Sequence, residues 1–447
     1  MKRFAIWFVV FSGLALGSSL DFRAGVAKID ITPEGPIWLS GYAARTSPSK
    51  GVARRIFARA LAIESKKGGR LVLVSTDLIG LPMTVTDQVS ARLQKDLGLD
   101  RSQLVFNSSH THTGPMLNRN LAIMEPDDEG ERERIRQYTQ QVASHLEEAV
   151  RQAMAKLQPA RLAFGAGQVG FAINRREFRQ EQVVLGENPK GPVDHRVPVM
   201  RVENENGQII GLLFGYACHN TTLTAEFYEI SGDYAGEAAA TLEAEFPGAT
   251  ALFFELCAGD QNPHPRSRAE LIMTHGNALA SEVARVARTS VEPVQGRIRA
   301  SYRIIQLPFA PHTREQFVEE ARSSDKFRVR RARAMLAKYD DRTVPRSLNY
   351  PVQVIRFDRG FTLIALAGEV VVDYALWSYR TFPQEKLMVA GYSNDVPCYI
   401  PSVRILREGG YEAETSMIYY GQPGRFSEEV EGRIQEAVAA GMKRVRR

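Results

Sequence analysis

Cysteine is scarce in this chain of 447 residues: Cys218, Cys257 and Cys398 are the only three. Three thiols cannot all pair within one chain, which excludes a disulfide-stapled fold. Buried free thiols are expected, with a Cys218–Cys257 bridge as the alternative. Long apolar runs are also missing. Beyond the extreme N-terminus no stretch approaches the roughly 20 consecutive apolar residues that a membrane-spanning helix needs. There is no internal repeat and no low-complexity segment. Charge of one sign is missing too: 57 basic residues face 51 acidic ones for a net +6, and the basic residues are spread along the chain. Electrostatic binding of nucleic acid needs them clustered on one face, so no nucleic-acid partner is expected. Histidine is the last scarcity, with eight in the whole chain.

The composition that remains, 44% apolar and 24% charged, is that of a folded protein able to bury a sizeable core. Lys2 and Arg3 precede an apolar run, "FAIWFVVFSGLAL", and the small residues Gly17, Ser18 and Ser19 follow it. This is the layout of a secretory signal peptide. Residues 1–19 are therefore read as a leader and residues 20–447 as an exported, secreted or periplasmic product. No cysteine stands at the cleavage region to carry a lipid anchor.

Short β-rich runs alternate with helical ones along the mature chain. "RLVLVSTDLIGL" at 70–81 reads as a buried strand entering a loop, 84–98 as an amphipathic helix, and "QLVFNSS" at 103–109 as a second strand. A long helix is expected over 131–157, where His145 needs no role beyond packing or solvation. Further strands are expected at "PVMRVEN", "IIGLLFGYAC", "TALFFELCAG", "VQVIRFD" and "FTLIALAGE". The alternation predicts an α/β fold with mixed β-sheets flanked by helices, forming a single catalytic domain over 20–447. The basic stretch at 322–346 is expected to be a solvated surface helix, with a peripheral membrane contact as the alternative.

The scarce histidines then matter. In "FNSSHTHTGP", His110 and His112 follow a strand, and in an extended segment such a pair points to one face. Strand ends are where α/β proteins build sites. Other expected strands deliver His219 after "GLLFGYAC", Gly259 and Asp260 after "ELCA", and Glu369 after "FTLIALAG". Each has a structural reading alone: Glu369 as a first-turn acid of the next helix, His219 as a core histidine. Together, two or three histidines with one carboxylate are the ligand chemistry of a catalytic zinc site.

These residues sit in motifs that resemble the catalytic domain of the neutral, non-lysosomal ceramidases. The motifs are "RAGVAKIDITP", "LSGYA", "FARALAIE", "SSHTHTGP", "INRR", "VDHRVPVMRV", "ISGDYAGE", "CAGDQNP", "AGE" and "GYSNDVPCYI", which span nearly the whole mature chain in family order. The resemblance implies a zinc-dependent amidase that cleaves the N-acyl bond of ceramide. It implies zinc ligands at His110, His219, Glu369 and Tyr399, with His112 handling protons beside the metal and Arg175 and Tyr411 donating to the oxyanion. Zinc lowers the pKa of bound water to about 7, and His112 would then pass a proton to the leaving nitrogen. Asp233 is expected to cap the following helix or support His219.

The chain departs from the family pattern at two places. The ceramidases carry a serine in a G-D-x-S-P sequence, where this chain reads "GDQNP" and places Asn262. An amide cannot serve as a nucleophile, so a zinc-water mechanism is expected, with Asn262 binding the substrate's head group. Ser267 lies too far along the loop to substitute. The sequence after Tyr411 reads as a terminal amphipathic helix, so the family's C-terminal β-sandwich is expected to be absent. The expected substrate is accordingly a lipid or small-molecule amide. The competing readings are a zinc hydrolase of another small amide or ester, and a binding protein that keeps the fold without turnover.

Overall fold

The computed structural model describes residues 20–289 and 291–447. The leader expected at 1–19 lies outside them. The fold is mixed α/β, as the alternation predicts, and its main element is a 12-stranded sheet. The strands Arg70–Thr76 and Leu104–Ser108 pair in parallel, with Val72 opposite Leu104. Almost every residue of both is buried, which is why they read as unbroken apolar runs. The helix Met83–Leu97 crosses between them and stops at Gly98, whose left-handed φ of 63° lets its amide reach Gln94 O at 3.0 Å. The long helix runs over Glu129–Ala155, beginning two residues earlier than expected because Asp128 caps it by accepting from the Glu131 amide at 2.9 Å.

The sheet branches at the strand Gln158–Gln168. One of its edges is lined by Arg196–Asn204, followed outward by Ile209–Tyr216 and Thr250–Glu255. The opposite edge is shared. Residues 158–160 pair with Phe22–Asp30, which leads through Phe57–Ser65 to Arg70–Thr76 and Leu104–Ser108. Residues 162–164 pair with Glu292–Pro308, which leads through Ser347–Arg359 and Thr362–Leu366 to Leu387–Ala390. Each of the three arms ends in a parallel pair.

The arms meet again at their tips. Bridges join Asn107 to Ser393 and Leu256 to Ala390. The buried Asn107 side chain stitches all three, donating to Glu255 O at 3.2 Å and Gly391 O at 2.8 Å while accepting from the Glu255 amide at 2.8 Å. The C-terminal ends of strands from three arms therefore open onto one place, the position at which α/β sheets bind ligands.

Helices cover the faces. Glu429–Arg446 buries Val430, Ile434, Val438, Met442 and Val445 against the third arm, in line with the amphipathic pattern. The basic stretch forms one helix, Lys326–Asp340, as expected, but that helix is not fully solvated. It buries Ala332 and Met335, packs Phe327 against Tyr419 at 5.6 Å, and donates from Arg330 to the carbonyls of Ile123 and Glu125. All three cysteines are buried free thiols, so the alternative Cys218–Cys257 bridge does not form. Among the described residues no helix is long and apolar enough to cross a membrane.

Asp395 ties the third arm to the first helix by accepting from the Met83 amide at 2.9 Å. Burial pushes its carboxyl up to about 7. Between about pH 4 and 7 the folded chain then holds a proton there that the unfolded chain releases, so stability falls as pH rises through that window. Asp395→Asn, which keeps the accepting oxygen, is expected to gain stability over the wild type progressively from pH 4 to 7 and to hold a constant advantage above it. Melting temperatures of both proteins across that range check this.

Candidate metal centre and active site

The loop after Leu104–Ser108 turns sharply instead of staying extended, which corrects the expectation for the paired histidines. His110 has a φ of +60°, an uncommon value for a residue with a side chain. Its amide donates to Leu78 O at 2.9 Å and its Nδ1 to Ile79 O at 2.6 Å, and these two bonds fix the turn. Thr111 and Thr113 anchor the same loop, each donating to Ser231 O at 2.9 Å. The two imidazoles do share a face, but with ring centroids 4.9 Å apart and planes at 82°.

Gly41 explains the close packing of His112. Its φ is +91°, and a Cβ built there would lie 2.4 Å from His112 Nδ1. Gly41→Ala is expected to displace the His112 ring and, if this centre is catalytic, to lower the rate by about tenfold or more with metal binding unchanged, which paired metal and rate assays would read.

His219 follows Ile209–Tyr216, the second arm. Its amide donates to Gln261 O at 3.0 Å and its Nδ1 to Ala258 O at 2.9 Å. Asp233 does not reach this ring. It is the first residue of the helix Asp233–Glu245 and accepts from the amides of Tyr234 at 2.6 Å and Leu223 at 3.3 Å, but the N-cap is Gly232 and no side chain caps the helix, so the capping expectation is corrected: Asp233 ties the loop at 223 to the helix start. Glu369 comes from the third arm, in a short strand parallel to Tyr399–Ile400 that sets Glu369 beside Tyr399. The next helix begins at Asp373, so Glu369 is not its first-turn acid.

The three arms converge on the Glu369 carboxylate. Its Oε2 lies 3.0 Å from His110 Nε2 and 2.9 Å from His219 Nε2, and the Tyr399 hydroxyl is 3.2 Å from His219 Nε2. All of these groups are buried. A carbonyl can only accept, so the bonds to Ile79 and Ala258 put the proton of each neutral ring on Nδ1 and turn the Nε2 lone pair inward. Burial, followed by Arg175, pushes His219 down to about 3, which keeps that ring neutral. Three lone-pair atoms at such distances repel unless a cation lies among them, and this donor set suits a divalent ion. The nitrogens of His110, His112 and His219 also lie within 4.8 Å of one another. Neither nitrogen of His112 has a hydrogen-bond partner, and burial together with the two neighbouring rings holds it well below the ordinary histidine range.

Arg175 organises the opposite wall. It donates from Nε to Glu412 at 2.9 Å, from Nη2 to the Tyr399 hydroxyl at 2.9 Å and from Nη1 to Asn262 Oδ1 at 3.3 Å. Tyr411 packs on Tyr399 with ring centroids 5.3 Å apart. Its hydroxyl takes no hydrogen-bond partner among the described residues, and burial raises its pKa. Every expected site residue except the fully enclosed His219 lines one cavity of about 410 Å³, with Leu121, Met124 and Ile173 supplying apolar wall.

A family model described as "Neutral/alkaline non-lysosomal ceramidase, N-terminal" matches residues 22–284, more than half of the chain. The chain belongs to the neutral/alkaline non-lysosomal ceramidase family. Its relatives include the neutral ceramidase of Pseudomonas aeruginosa, 29% identical over 261 residues that make up 56% of this chain and 38% of that protein. Neutral ceramidase B of Dictyostelium discoideum is 26% identical over 265 residues, 55% of this chain and 36% of that protein. The matched stretch is thus little more than a third of either curated relative. The crystal structure of the Pseudomonas aeruginosa enzyme superposes with a TM-score of 0.74 at 21% identity, covering 96% of this chain and 75% of that one, a likeness of fold.

Within this ceramidase-family chain, three tyrosines at the centre escape the sequence reading. Tyr420 donates a short hydrogen bond to Glu369 Oε1. Tyr392 lies with its ring centroid 4.6 Å from that of His110, tilted at 45°, and Tyr42 lies 4.8 Å from that of His112. Tyr392 stands inside the "GYSNDVPCYI" motif and Tyr42 inside "LSGYA", so family motifs carried a signal for both. "IYYGQP" around Tyr420 carried none.

Proposed function

We propose that this chain is a zinc-dependent hydrolase of a carbon–nitrogen amide bond in an N-acylated lipid. The observation that carries the proposal is the meeting of His110 Nε2 and His219 Nε2 on Glu369 Oε2, at 3.0 and 2.9 Å, beside a cavity of about 410 Å³ with an apolar wall. Family membership adds to it, since the relatives are named neutral ceramidases. His110, His219, Glu369 and Tyr399 would hold the ion. Bound there, zinc would supply Lewis acidity and bring the pKa of water down to about 7.

The side chains do the remaining work. His112, neutral and with both nitrogens free, takes the proton from the attacking water and delivers it to the amide nitrogen. Water's oxygen joins the acyl carbon, the C–N bond breaks, and the nitrogen leaves as an uncharged amine. Tyr411 donates to the developing oxyanion, a contact whose loss typically costs about a hundredfold in rate. Arg175 holds Tyr399 and Asn262 in place and adds positive charge beside that oxygen. No serine nucleophile is needed. Export is part of this proposal and rests on the apolar run at 4–16.

Metal analysis and hydrolysis of a fluorescent N-acyl-sphingosine, with the wild type and His110→Ala, test the reading. The expected result is about one zinc per chain and cleavage that disappears in the variant. A wild type that binds no metal would reject the mechanism. Zinc without cleavage would favour the second reading, a hydrolase of an amide or ester with a different head group, which Asn262 supports.

A further inference from the structure

The head-group side of the cavity holds an arginine that neither the catalytic proposal nor the sequence motifs use. Arg266 lines the same cavity as Asn262 and His112. Its Nη2 donates to the Tyr42 hydroxyl at 3.2 Å, and its buried Nε has no partner. No carboxylate lies within ion-pair distance of it among the described residues. The acid that senses its charge is Asp233, which is buried and already occupied by the amides of Tyr234 and Leu223. Arg45 adds positive charge behind the Tyr42 ring, 5.1 Å from it, with its donors given to the carbonyls of Ser40, His112 and Phe227. By contrast, the Arg175 guanidinium is balanced by Glu412 at 2.9 Å. At the mouth of the cavity Glu187 pairs with His264 at 3.2 Å.

Asn262 points the same way. Its Oδ1 is taken by Arg175 Nη1 at 3.3 Å and by the Thr221 hydroxyl at 3.4 Å. Only the Nδ2 donor is left for a ligand. The Arg175 guanidinium that holds Asn262 also touches Tyr399, so this donor lies one side chain away from the metal ligands. A hydroxyl head group could accept a bond from the unpartnered Nε but would leave the Arg266 charge uncompensated. A carboxylate offers two acceptor oxygens and the compensating charge, the chemistry that a guanidinium binds best.

We propose that the amine part of the substrate carries a carboxylate, so that the chain acts on N-acyl amino acids, with Arg266 and the Asn262 amide as the head-group site. This rests on the amidase reading for its chemistry but makes a separate claim about binding. The test uses ligands that cannot be cleaved. In the analogues of N-lauroylglycine and N-lauroylethanolamine with a methylene in place of the amide nitrogen, the two differ only in the terminal carboxylate or hydroxyl.

Calorimetric titration of the full chain with each is expected to show the carboxylate analogue binding at least about tenfold more tightly. Arg266→Gln is expected to bring the two affinities to within about twofold of each other, whereas Arg266→Lys, which keeps the charge, retains part of the preference. Equal affinities in the wild type, or a preference that survives in Arg266→Gln, would overturn the inference. Hydrolysis of the two parent amides by the zinc-loaded protein is read separately. Cleavage of both with no preference in binding leaves the amidase and removes the head-group site. A binding preference without cleavage of either amide does the reverse.

Discussion

Glu369→Gln is expected to abolish both metal retention and hydrolysis. Three acceptor atoms from three arms of the sheet meet at that carboxylate, and its Oε2 is the atom that both inward-facing Nε2 lone pairs approach. Glutamine keeps the size but removes the negative charge and turns either a weak carbonyl ligand or an amide N–H toward the site. Since a divalent ion contributes several kcal/mol to transition-state stabilisation, and each 1.36 kcal/mol is a factor of ten, kcat/KM is expected to fall by about a thousandfold or more. Tyr420→Phe provides the graded control. It removes only the hydrogen bond to Oε1, and loss of such an outer contact typically costs about 10- to 100-fold in metal affinity or activity. Metal content after dialysis and initial rates on an N-acyl amide, measured for both variants, check the pair. Full zinc occupancy and undiminished rate in Glu369→Gln would place the reaction centre elsewhere.

The largest effect on stability is expected at Arg59. Its side chain is 2% exposed, and Nη1 donates to both oxygens of the 3% exposed Asp77 at 3.0 and 2.9 Å while Nε reaches Glu243 at 3.3 Å. Removing one member of such a pair strands a charge in the interior, which costs about 3–5 kcal/mol. Arg59→Met is therefore expected to lower the unfolding free energy by that amount, and Arg59→Met with Asp77→Asn to recover much of it, because the stranded charge is then gone. Activity should follow stability here. Asp77 leads directly into Leu78 and Ile79, whose carbonyls hold the His110 turn. Equilibrium unfolding of the single and double variants, with rates on the same samples, would show it.

Much of the framework is legible in the amino-acid order. Leu104–Ser108, Ile209–Tyr216, Thr250–Glu255 and Thr362–Leu366 are buried on both faces and so each carries a run of apolar residues with polar ones only toward its ends. The strands at Gln158–Gln168 and Glu292–Pro308 and the hairpin strands Ala172–Arg179 and Gln182–Asn188 mix polar with apolar positions because part of each faces water. They carry no such run, and the sequence reading passed over them. The site divides along similar lines. His110, His112, His219 and Glu369 stand at strand ends, so their placement follows from the strands. Arg175, Tyr399 and Tyr411 were reached only through family likeness. Tyr420 reaches Glu369 from a loop whose path is set by tertiary packing, and a tyrosine in a loop looks from sequence like any other piece of core. The bend at His110 was hidden too, since the carbonyls that stabilise it belong to a different strand's loop.

The branched sheet also governs the order of events when the chain is made. The first arm supplies His110 and the second His219, but the carboxylate and both tyrosines that flank it belong to the third arm and the loops beyond it. A ribosome that has released the first two arms has produced two imidazoles and no anion to complete the cage. Capture of an ion by the proposed ligands would then be a late step, because ligands gathered from distant parts of a chain come together only when the long-range pairing is finished. The Asn107 stitch would close at the same moment, so the proposed metal site would be complete only when the fold is.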